Sequence, residues 1–318
     1  MDAITMLQSI VTSSLMFSAP LILTAIAGTF SERSGVINIG LEGIMVMGAF
    51  ASAIFNLQFY EIFGKQTPWI AMLVGGAVGL IFSVLHAVAT INLRADHIVS
   101  GTAINLLAPA LAVFLVRVLF DKAQTGPLAT SFGITSIPIL KDIPIIGEIF
   151  FTSVTPLGYM GIIIGVIGWF VLFKTPFGLR LRSVGEHPVA AETVGINVRL
   201  YKYAGVLISG FLGGMGGAIQ AQAIANEFGA LTIAGQGFMA MAAMIFGKWN
   251  PIGVTFAAIF FGFAQSLSRV GRYIPIIQDI PTIYLQVLPY VLTIVILVGF
   301  IGKSEAPESL GETYIKSE

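Results

Sequence analysis

Five polar side chains lie inside long stretches of the sequence that carry almost no charge, and they are the first candidates for chemistry. They are Asn38, Glu42, Asn105, Gln220 and Gln236. Amide and carboxylate groups donate or accept hydrogen bonds, so these residues could bind the polar groups of a small solute. The alternative for the amides is a hydrogen bond between packed helices, and for Glu42 a solvated position at a helix end. The sequence leaves both interpretations open.

The residue patterns of catalytic and metal sites are missing from the sequence. There is no cysteine, and the three histidines, His86, His97 and His187, are too scattered to indicate a zinc site. No HExxH motif occurs, and the glycine-rich run Gly210–Gly217 lacks the lysine of a phosphate-binding loop. We therefore predict no catalytic residue, no metal site and no cofactor in this chain.

The composition predicts a membrane protein. Of the 318 residues, 56% are hydrophobic and only 10% are charged, whereas soluble domains carry roughly 25% charged residues. Apolar surface on this scale must face lipid instead of water. The 16 basic and 16 acidic residues give a formal net charge of zero, which argues against nucleic acid as a partner.

Nine uncharged windows predict about nine transmembrane helices, in an all-α polytopic fold. We allow eight to ten, because the apolar stretch before the second window, residues 34–42, is broken by glycine and could be unwound. The first window is too long for a cleaved signal. We expect one transmembrane domain over residues 1–302 and a polar, mobile tail over 303–318. The windows are Ala3–Ser31, Gly43–Tyr60, Gln66–Leu93, Ile98–Val116, Ile149–Phe173, Tyr203–Asn226, Phe228–Gly247, Trp249–Ser268 and Ile280–Gly302.

The distribution of basic residues predicts the orientation. The connection Lys174–Lys202 holds five of them, which marks it as cytoplasmic. Counting windows from it places ten basic residues inside and six outside, with the N-terminus outside and the C-terminus in the cytoplasm. The long connection Arg117–Glu148 then lies outside. Its prolines exclude a continuous helix, and it could follow the membrane surface, meet a partner or pack as an ordinary loop.

The segment Arg180–Asn197 of the cytoplasmic connection contains a predicted short helix. Pro188 suits the first turn of a helix and Gly195 its end, which leaves about two turns between them. Such a helix is marginally stable alone. Its small side chains would fit a groove on another protein, and the alternative is a surface helix that touches only lipid headgroups.

Four stretches of the sequence resemble a known family. The segment Gly185–Gly195 with the glycine-rich helix after it resembles the coupling region of bacterial ABC importer permeases of the ribose and branched-chain amino acid class. Residues 31–43, 95–105 and 246–253 agree with that family, and the first two are most similar to its nucleoside-importer branch. The resemblance covers roughly residues 10 to 300. The additional N-terminal helix of ribose-type permeases is missing here.

The resemblance implies a permease subunit in a bacterial cell membrane that imports nucleosides and is not itself an enzyme. It implies three protein partners: an ABC ATPase that binds the ATP, a second permease chain, identical or homologous, and an external substrate-binding lipoprotein. The short helix would dock on the ATPase, and the five polar residues would line the translocation path. The predicted coupling residues are Gly185, Glu186, His187, Pro188, Ala190, Ala191, Glu192 and Gly195.

Two other functions remain as alternatives. A permease for ribose-like sugars would share the family and differ in substrate. An ion-coupled secondary transporter would need ionisable residues deep in its spans, and only Glu42 and Glu227 approach that description. An intramembrane protease or a channel lacks any supporting motif.

Overall fold

The computed structural model describes residues 3–138, 140–144, 146–270 and 306–315, together with a few single positions between 281 and 295. Within these residues the fold is all-helical, and the one extended pairing is a bridge between Thr135 and Val154. This confirms the predicted all-α class. The helices are α1 (Ala3–Arg33), α2 (Leu41–Phe63), α3 (Thr67–Ala87), α4 (His97–Phe120), α5 (Ile146–Phe151), α6 (Pro156–Lys174), α7 (Pro176–Glu186), α8 (Pro188–Thr193), α9 (Val198–Ile219), α10 (Gln236–Phe246) and α11 (Pro251–Val270).

Six helical stretches among the described residues are long and apolar enough to cross a bilayer. The longest, Leu41–Asn92, is divided at Gly64 into α2 and α3. Gly48 of α2 lies against Gly75 of α3, so the two helices form a hairpin. The other five stretches correspond to α1, α4, α6, α9 with the turn after it, and α11.

Two of the predicted windows differ from the observed helices, and one lies outside the described residues. Phe228–Gly247 is helical only as α10, whose 11 residues span about 16 Å, half of the roughly 30 Å hydrocarbon layer. The window Ile149–Phe173 is interrupted before Pro156, where α6 begins. The ninth window, Ile280–Gly302, falls outside the described residues except at single positions.

Helix α1 forms the centre of the bundle. It packs against α6, α9, α10 and α11, and its side chains Leu21, Ile22 and Ile26 are fully buried. A helix surrounded by other helices needs apolar residues on every side, which explains why α1 has no polar stripe. Its C-terminal end is fixed by a hydrogen bond of 2.6 Å from the Trp249 indole to the Glu32 carboxylate.

Glycines let α2, α3 and α9 approach closely. A Cβ added at Gly48 would lie 2.2 Å from the Gly214 carbonyl oxygen, and one at Gly79 would lie 2.4 Å from that of Gly210. No side chain fits at such contacts, so glycine is required for the packing.

Candidate functional site

A polar cavity of about 630 Å³ lies where α9, α10 and α11 meet the stretch between α9 and α10. Its walls include two of the five predicted polar residues, Gln220 and Gln236. They also include two charged side chains, Glu227 and Arg269, and the loop residue Gln124. The volume lies within the roughly 300–1,000 Å³ typical of small-molecule sites.

Gln220 contributes a buried polar atom to this wall. It opens a π-helical turn, Gln220–Ala225, that follows α9, and such turns frequently mark functional sites. Its side chain is 7% exposed, and its Oε1 has no hydrogen-bond partner among the described residues. A buried acceptor without a donor costs free energy. Because Oε1 is shielded in this structure, a solute in the cavity could supply the donor after a rotation of the Gln220 side chain.

Gln236 is held at the first residue of α10. Its Oε1 accepts a hydrogen bond of 3.0 Å from the Gln265 side chain on α11. Gly235 precedes it with a φ of +90°, a conformation suited to glycine. The chain can therefore turn sharply into α10 beside the cavity.

Glu42 binds the N-terminus of α10 and does not line the cavity. Its two carboxylate oxygens accept hydrogen bonds of 2.6 Å each from the backbone N–H groups of Gly235 and Gly237. Unpaired N–H groups at a helix start favour an anion. Both oxygens thus have a structural partner here, and a role of Glu42 in the translocation path stays a prediction.

Asn38 and Asn105 lie at the broken stretch that the sequence indicated, which the structure shows as non-helical over residues 34–40. Asn105 donates to the Ile39 carbonyl at 2.9 Å and accepts from the Gly43 N–H at 2.8 Å. Asn38 donates to the Ser209 hydroxyl at 3.0 Å, while its Oδ1 has no partner among the residues that the structure describes. Of the five candidates, only Gln220 and Gln236 come together.

Two histidines that the sequence analysis set aside also hold the broken stretch. His97 Nδ1 accepts from the Ile37 N–H at 3.2 Å, and His86 Nε2 lies 2.8 Å from the Ile37 carbonyl oxygen, to which it donates. The second ring nitrogen of His86 lies 2.9 Å from the Ser100 hydroxyl. Unwound backbone among apolar helices must be satisfied by such partners.

The predicted short helix is present as α8, Pro188–Thr193, and Gly195 follows its end as expected. Gly195 has a φ of +82°. The N–H groups of Gly195 and Ile196 bond to the carbonyls of Glu192 and Ala191, at 2.9 and 3.0 Å. This is the Schellman arrangement that terminates a helix. Val189 and Val194 are 54% and 74% exposed, so α8 presents apolar side chains for a contact.

The sequence analysis missed α7, which directly precedes α8. Pro176 lies in its first turn, and the Thr175 hydroxyl accepts from the Gly178 N–H. Arg180 and Arg182 had marked the segment as a charged connection. Arg182 instead lies over the Phe173 ring, and α7 packs on the end of α6.

Residues 306–315 of the predicted mobile tail are held against α7, α8 and the broken stretch. Tyr314 packs with Val184, Ala191 and Val198. Desolvation and the neighbouring Glu192 carboxylate raise the pKa of the Tyr314 phenol to about 12. Because this segment is polar in composition, the sequence did not predict that it packs against other parts of the molecule.

The connection between α4 and α6 is anchored and partly exposed. Phe132 packs edge-on against Trp69 of α3, and the Thr125 N–H bonds to the Phe228 carbonyl at 2.9 Å. Farther along, Ile134 is 72% exposed and Ile146 is 54% exposed. The connection thus packs as a loop at its start and exposes apolar residues later.

Metal-binding clusters are absent from the part of the chain that the structure describes: it contains no group of three or more His, Cys, Asp or Glu residues that could hold an ion. Three further residues line the cavity: Arg269 and Gln124, which sequence reasoning did not select, and Glu227, which it named only for the ion-coupled alternative. They belong to a helix end, a connection and a loop, and no periodic pattern brings them together.

The apolar bundle, with non-helical stretches at residues 34–40 and 226–235 and a polar cavity beside the second, defines a polytopic α-helical membrane protein. The chain matches the family described as branched-chain amino acid transport system / permease component over residues 10–297, and it belongs to that family. It is therefore a multi-pass membrane permease of an ABC transporter and not an enzyme, as the sequence analysis predicted.

Similar proteins include nucleoside and guanosine permeases. The chain is 55% identical to the nucleoside ABC transporter permease protein NupC of Lactococcus lactis, over the full length of both chains. It is 53% identical to the guanosine ABC transporter permease protein NupQ of Bacillus subtilis, again over both full lengths. It is 25% identical to the nucleoside ABC transporter permease protein NupB of Lactococcus lactis, over 80% of this chain and 70% of that one.

Proposed function

We propose that this chain is the membrane-spanning permease subunit of an ATP-driven importer that carries nucleosides across a bacterial cell membrane. The similarity to two full-length nucleoside and guanosine permeases carries the proposal. The cavity supports it, because the amides of Gln220 and Gln236 can hydrogen-bond the base edges and ribose hydroxyls of a nucleoside.

The proposed topology has nine crossings, with the N-terminus outside and the C-terminus in the cytoplasm. Segments that the charge pattern assigns to the cytoplasm share one end of the bundle. Arg33 lies 3.6 Å from the Glu186 carboxylate and donates to the Trp249 carbonyl at 3.1 Å. Gln8 bonds to Thr152 at the opposite end. One crossing would combine α10 with the non-helical chain before it, and another would be residues 280–302.

The proposed partners follow from the exposed surfaces and the family. Helix α8 would dock in a groove of an ABC ATPase, which would bind ATP, so the permease itself needs no cofactor. A substrate-binding lipoprotein would deliver nucleoside at the outer end. The second permease chain would be a homologue, because Lactococcus lactis has two nucleoside permeases and this chain matches NupC far better than NupB.

The proposed mechanism is alternating access between two permease chains. Closure of the ATPase subunits on ATP would move α8, and the nucleoside path would change the membrane face to which it opens. Such coupling requires an element with two arrangements that both the ATPase and the substrate bias. Residues 34–40 and 226–235 are non-helical backbone of the kind that builds transporter sites.

The test is uptake by the complete complex, purified from native membranes through a tag on this chain and reconstituted in vesicles. We expect an ATPase and a lipoprotein to copurify, and labelled guanosine to enter only with hydrolysable ATP. ATP-driven uptake of labelled ribose but not of guanosine would indicate the sugar permease. Uptake that needs an ion gradient and no ATP would refute the importer.

A matched pair of variants tests the docking role of α8. Val189→Asp places a charge on its exposed apolar face, and we expect the ATPase to be lost from the purified complex. Ile134→Asp changes another exposed apolar residue at the other end of the molecule and should leave the ATPase bound. Equal loss in both variants would contradict docking through α8.

A further inference from the structure

The C-terminal segment 306–315 lies where three parts of the molecule meet. It touches the end of α7, the start of α8 and the first residues of the broken stretch 34–40. Pro307 and Ser309 are buried although the segment follows a run of polar and charged residues. A free tail would bury neither, so the contacts require an explanation.

The first set of contacts joins the segment to the α7–α8 pair. The Ser309 N–H donates to the Gly185 carbonyl at 3.1 Å, and its hydroxyl donates to the Glu186 carbonyl at 2.9 Å. The Glu308 N–H donates to the Glu186 carboxylate at 3.1 Å, and the Glu308 carboxylate lies 3.0 Å from His187 Nε2. Backbone and side chain together fix the segment at the point where α7 ends and α8 begins.

The second set of contacts joins the segment to the broken stretch. The Gly311 N–H donates to the Gly35 carbonyl at 3.2 Å. Gly35 itself lies between Gly185 of α7 and Ser309, each within 3.3 Å of the position that a Cβ would take. The broken stretch is thus held from two sides, by α7 and by the C-terminal segment.

Gly311 shows how closely these parts fit. Its φ is +82°, and an added Cβ would lie 2.8 Å from Ile37 Cδ1. Lys202 of α9 adds a hydrogen bond of 3.3 Å to the Glu312 carbonyl. An alanine at this position would be strained by its backbone conformation and would push against Ile37.

The broken stretch continues from these contacts to the cavity. From its contact at Gly35 the stretch continues to Gly40. Glu42, two residues farther, binds the backbone where α10 begins. Gln236, the first residue of α10, lines the cavity. A contiguous set of contacts therefore leads from α8 through the C-terminal segment to the start of α10.

We propose that residues 306–315 are a coupling element, which fastens α8 to the broken stretch so that movement of α8 reaches the cavity. This inference rests on the proposed importer function. A contiguous network is a physical route for coupling only if both ends bias the same element, so the test must measure coupling and not stability alone.

The first variant deletes residues 306–318 in the reconstituted complex. Guanosine uptake and ATP hydrolysis are measured in the same vesicles. We expect the ATPase to remain bound and to hydrolyse ATP, while the guanosine imported per ATP falls at least tenfold. An unchanged ratio would overturn the proposal, and so would loss of the ATPase, because the segment would then be a docking surface.

The second variant, Gly311→Ala, decides the matter if the shortened chain does not accumulate in the membrane. We expect about a threefold fall in guanosine imported per ATP, with the ATPase still bound. Gly126→Ala is its matched control, since Gly126 also has a positive φ of +78° but has open space around it. Equal ratios in the two variants would overturn the proposal. The unaltered complex separates this outcome from a failure of the importer itself, which would show no ATP-driven uptake.

Discussion

The two non-helical stretches, 34–40 and 226–235, lead into neighbouring helix starts but are built in opposite ways. In the first, five of seven residues are buried and side chains from other helices bind the backbone of Ile37 and Ile39. In the second, Phe228 is buried at one end, while Leu231 in the middle is 83% exposed beside the cavity. The first is closed by its partners, and the second is open to a solute.

The difference shows where polar residues serve structure and where they could serve binding. Around the closed stretch, His86, His97 and Asn105 use their hydrogen-bonding atoms on backbone groups. Around the open stretch, Gln220 lines the cavity, and its Oε1 has no hydrogen-bond partner among the described residues. Asn38 Oδ1 in the closed stretch likewise has none there, but Asn38 is not part of that cavity's wall. Glu42 connects the two, since it lies in the first turn of α2 and accepts hydrogen bonds from the N–H groups of Gly235 and Gly237 at the start of α10.

The largest effect is expected where the two stretches meet. Glu42→Ala removes two charge-assisted hydrogen bonds and leaves two buried N–H groups unpaired, which should cost about 3 kcal/mol of stability. Guanosine uptake should fall at least tenfold. Thermal unfolding of the purified complex and vesicle uptake measure the two effects.

Glu42→Gln serves as the matched control for this change. Its side-chain oxygen can still accept one of the two hydrogen bonds, so about half of the stability loss is expected. If Glu42→Ala abolished uptake without lowering the unfolding temperature, Glu42 would be a substrate ligand and not an anchor.

The next largest effect is expected in the closed stretch, residues 34–40. Asn105→Leu keeps the size of the side chain but removes the partners of the Ile39 carbonyl and the Gly43 N–H, which should cost about 2 kcal/mol. Thr102→Ala on the same helix removes only a local exposed hydrogen bond and should change stability by less than about 0.5 kcal/mol. Equal unfolding temperatures for the two variants would show that the stretch does not depend on Asn105.

Much of the fold could be predicted from the sequence, because lipid imposes simple rules on composition. Uncharged windows located α1, α2, α3, α4, α9 and α11 to within a few residues. Pro188, whose ring fixes φ, suits the first turn of α8, and Gly195, which tolerates a positive φ, follows its end. These signals are local, so they can be read without tertiary contacts.

The remaining features depend on contacts that no local pattern reveals. The second half of the window Phe228–Gly247 becomes α10 because Glu42, distant in the sequence, binds its first N–H groups. Gln220 and Gln236 were chosen for their polarity, as Asn105 was. The positions of α9 and α10 in the fold bring Gln220 and Gln236 to a cavity wall, whereas Asn105 binds backbone groups.

Two glutamines two residues apart allow a sharper comparison of stability and binding. Gln222 is fully buried, accepts from Asn56 at 2.8 Å and donates to the Pro68 carbonyl at 3.3 Å. Gln222→Leu should therefore cost about 1–2 kcal/mol and leave the KM for guanosine unchanged.

Gln220→Leu should show the reverse. Its Oε1 has no partner to lose, so stability should stay within about 0.5 kcal/mol, while loss of one hydrogen bond to guanosine would raise the KM up to about tenfold. Initial uptake rates over a range of guanosine concentrations measure this. An unchanged KM for Gln220→Leu would remove Gln220 from the site.

The smallest effect is expected at Arg269, an exposed residue of α11 that lines the cavity beside the open stretch. The Arg269 guanidinium lies 4.9 Å from the centre of the Phe17 ring. Arg269 is exposed and the ring is buried, and a cation–π contact with an exposed cation contributes about 0.5–1 kcal/mol. A nucleoside is uncharged, so it offers no ion pair to this cation. Arg269→Gln should therefore lower stability by less than about 1 kcal/mol and change the guanosine KM by no more than about twofold. Complete loss of uptake, with the complex intact, would instead make Arg269 a required ligand and the open stretch a site for an anionic solute.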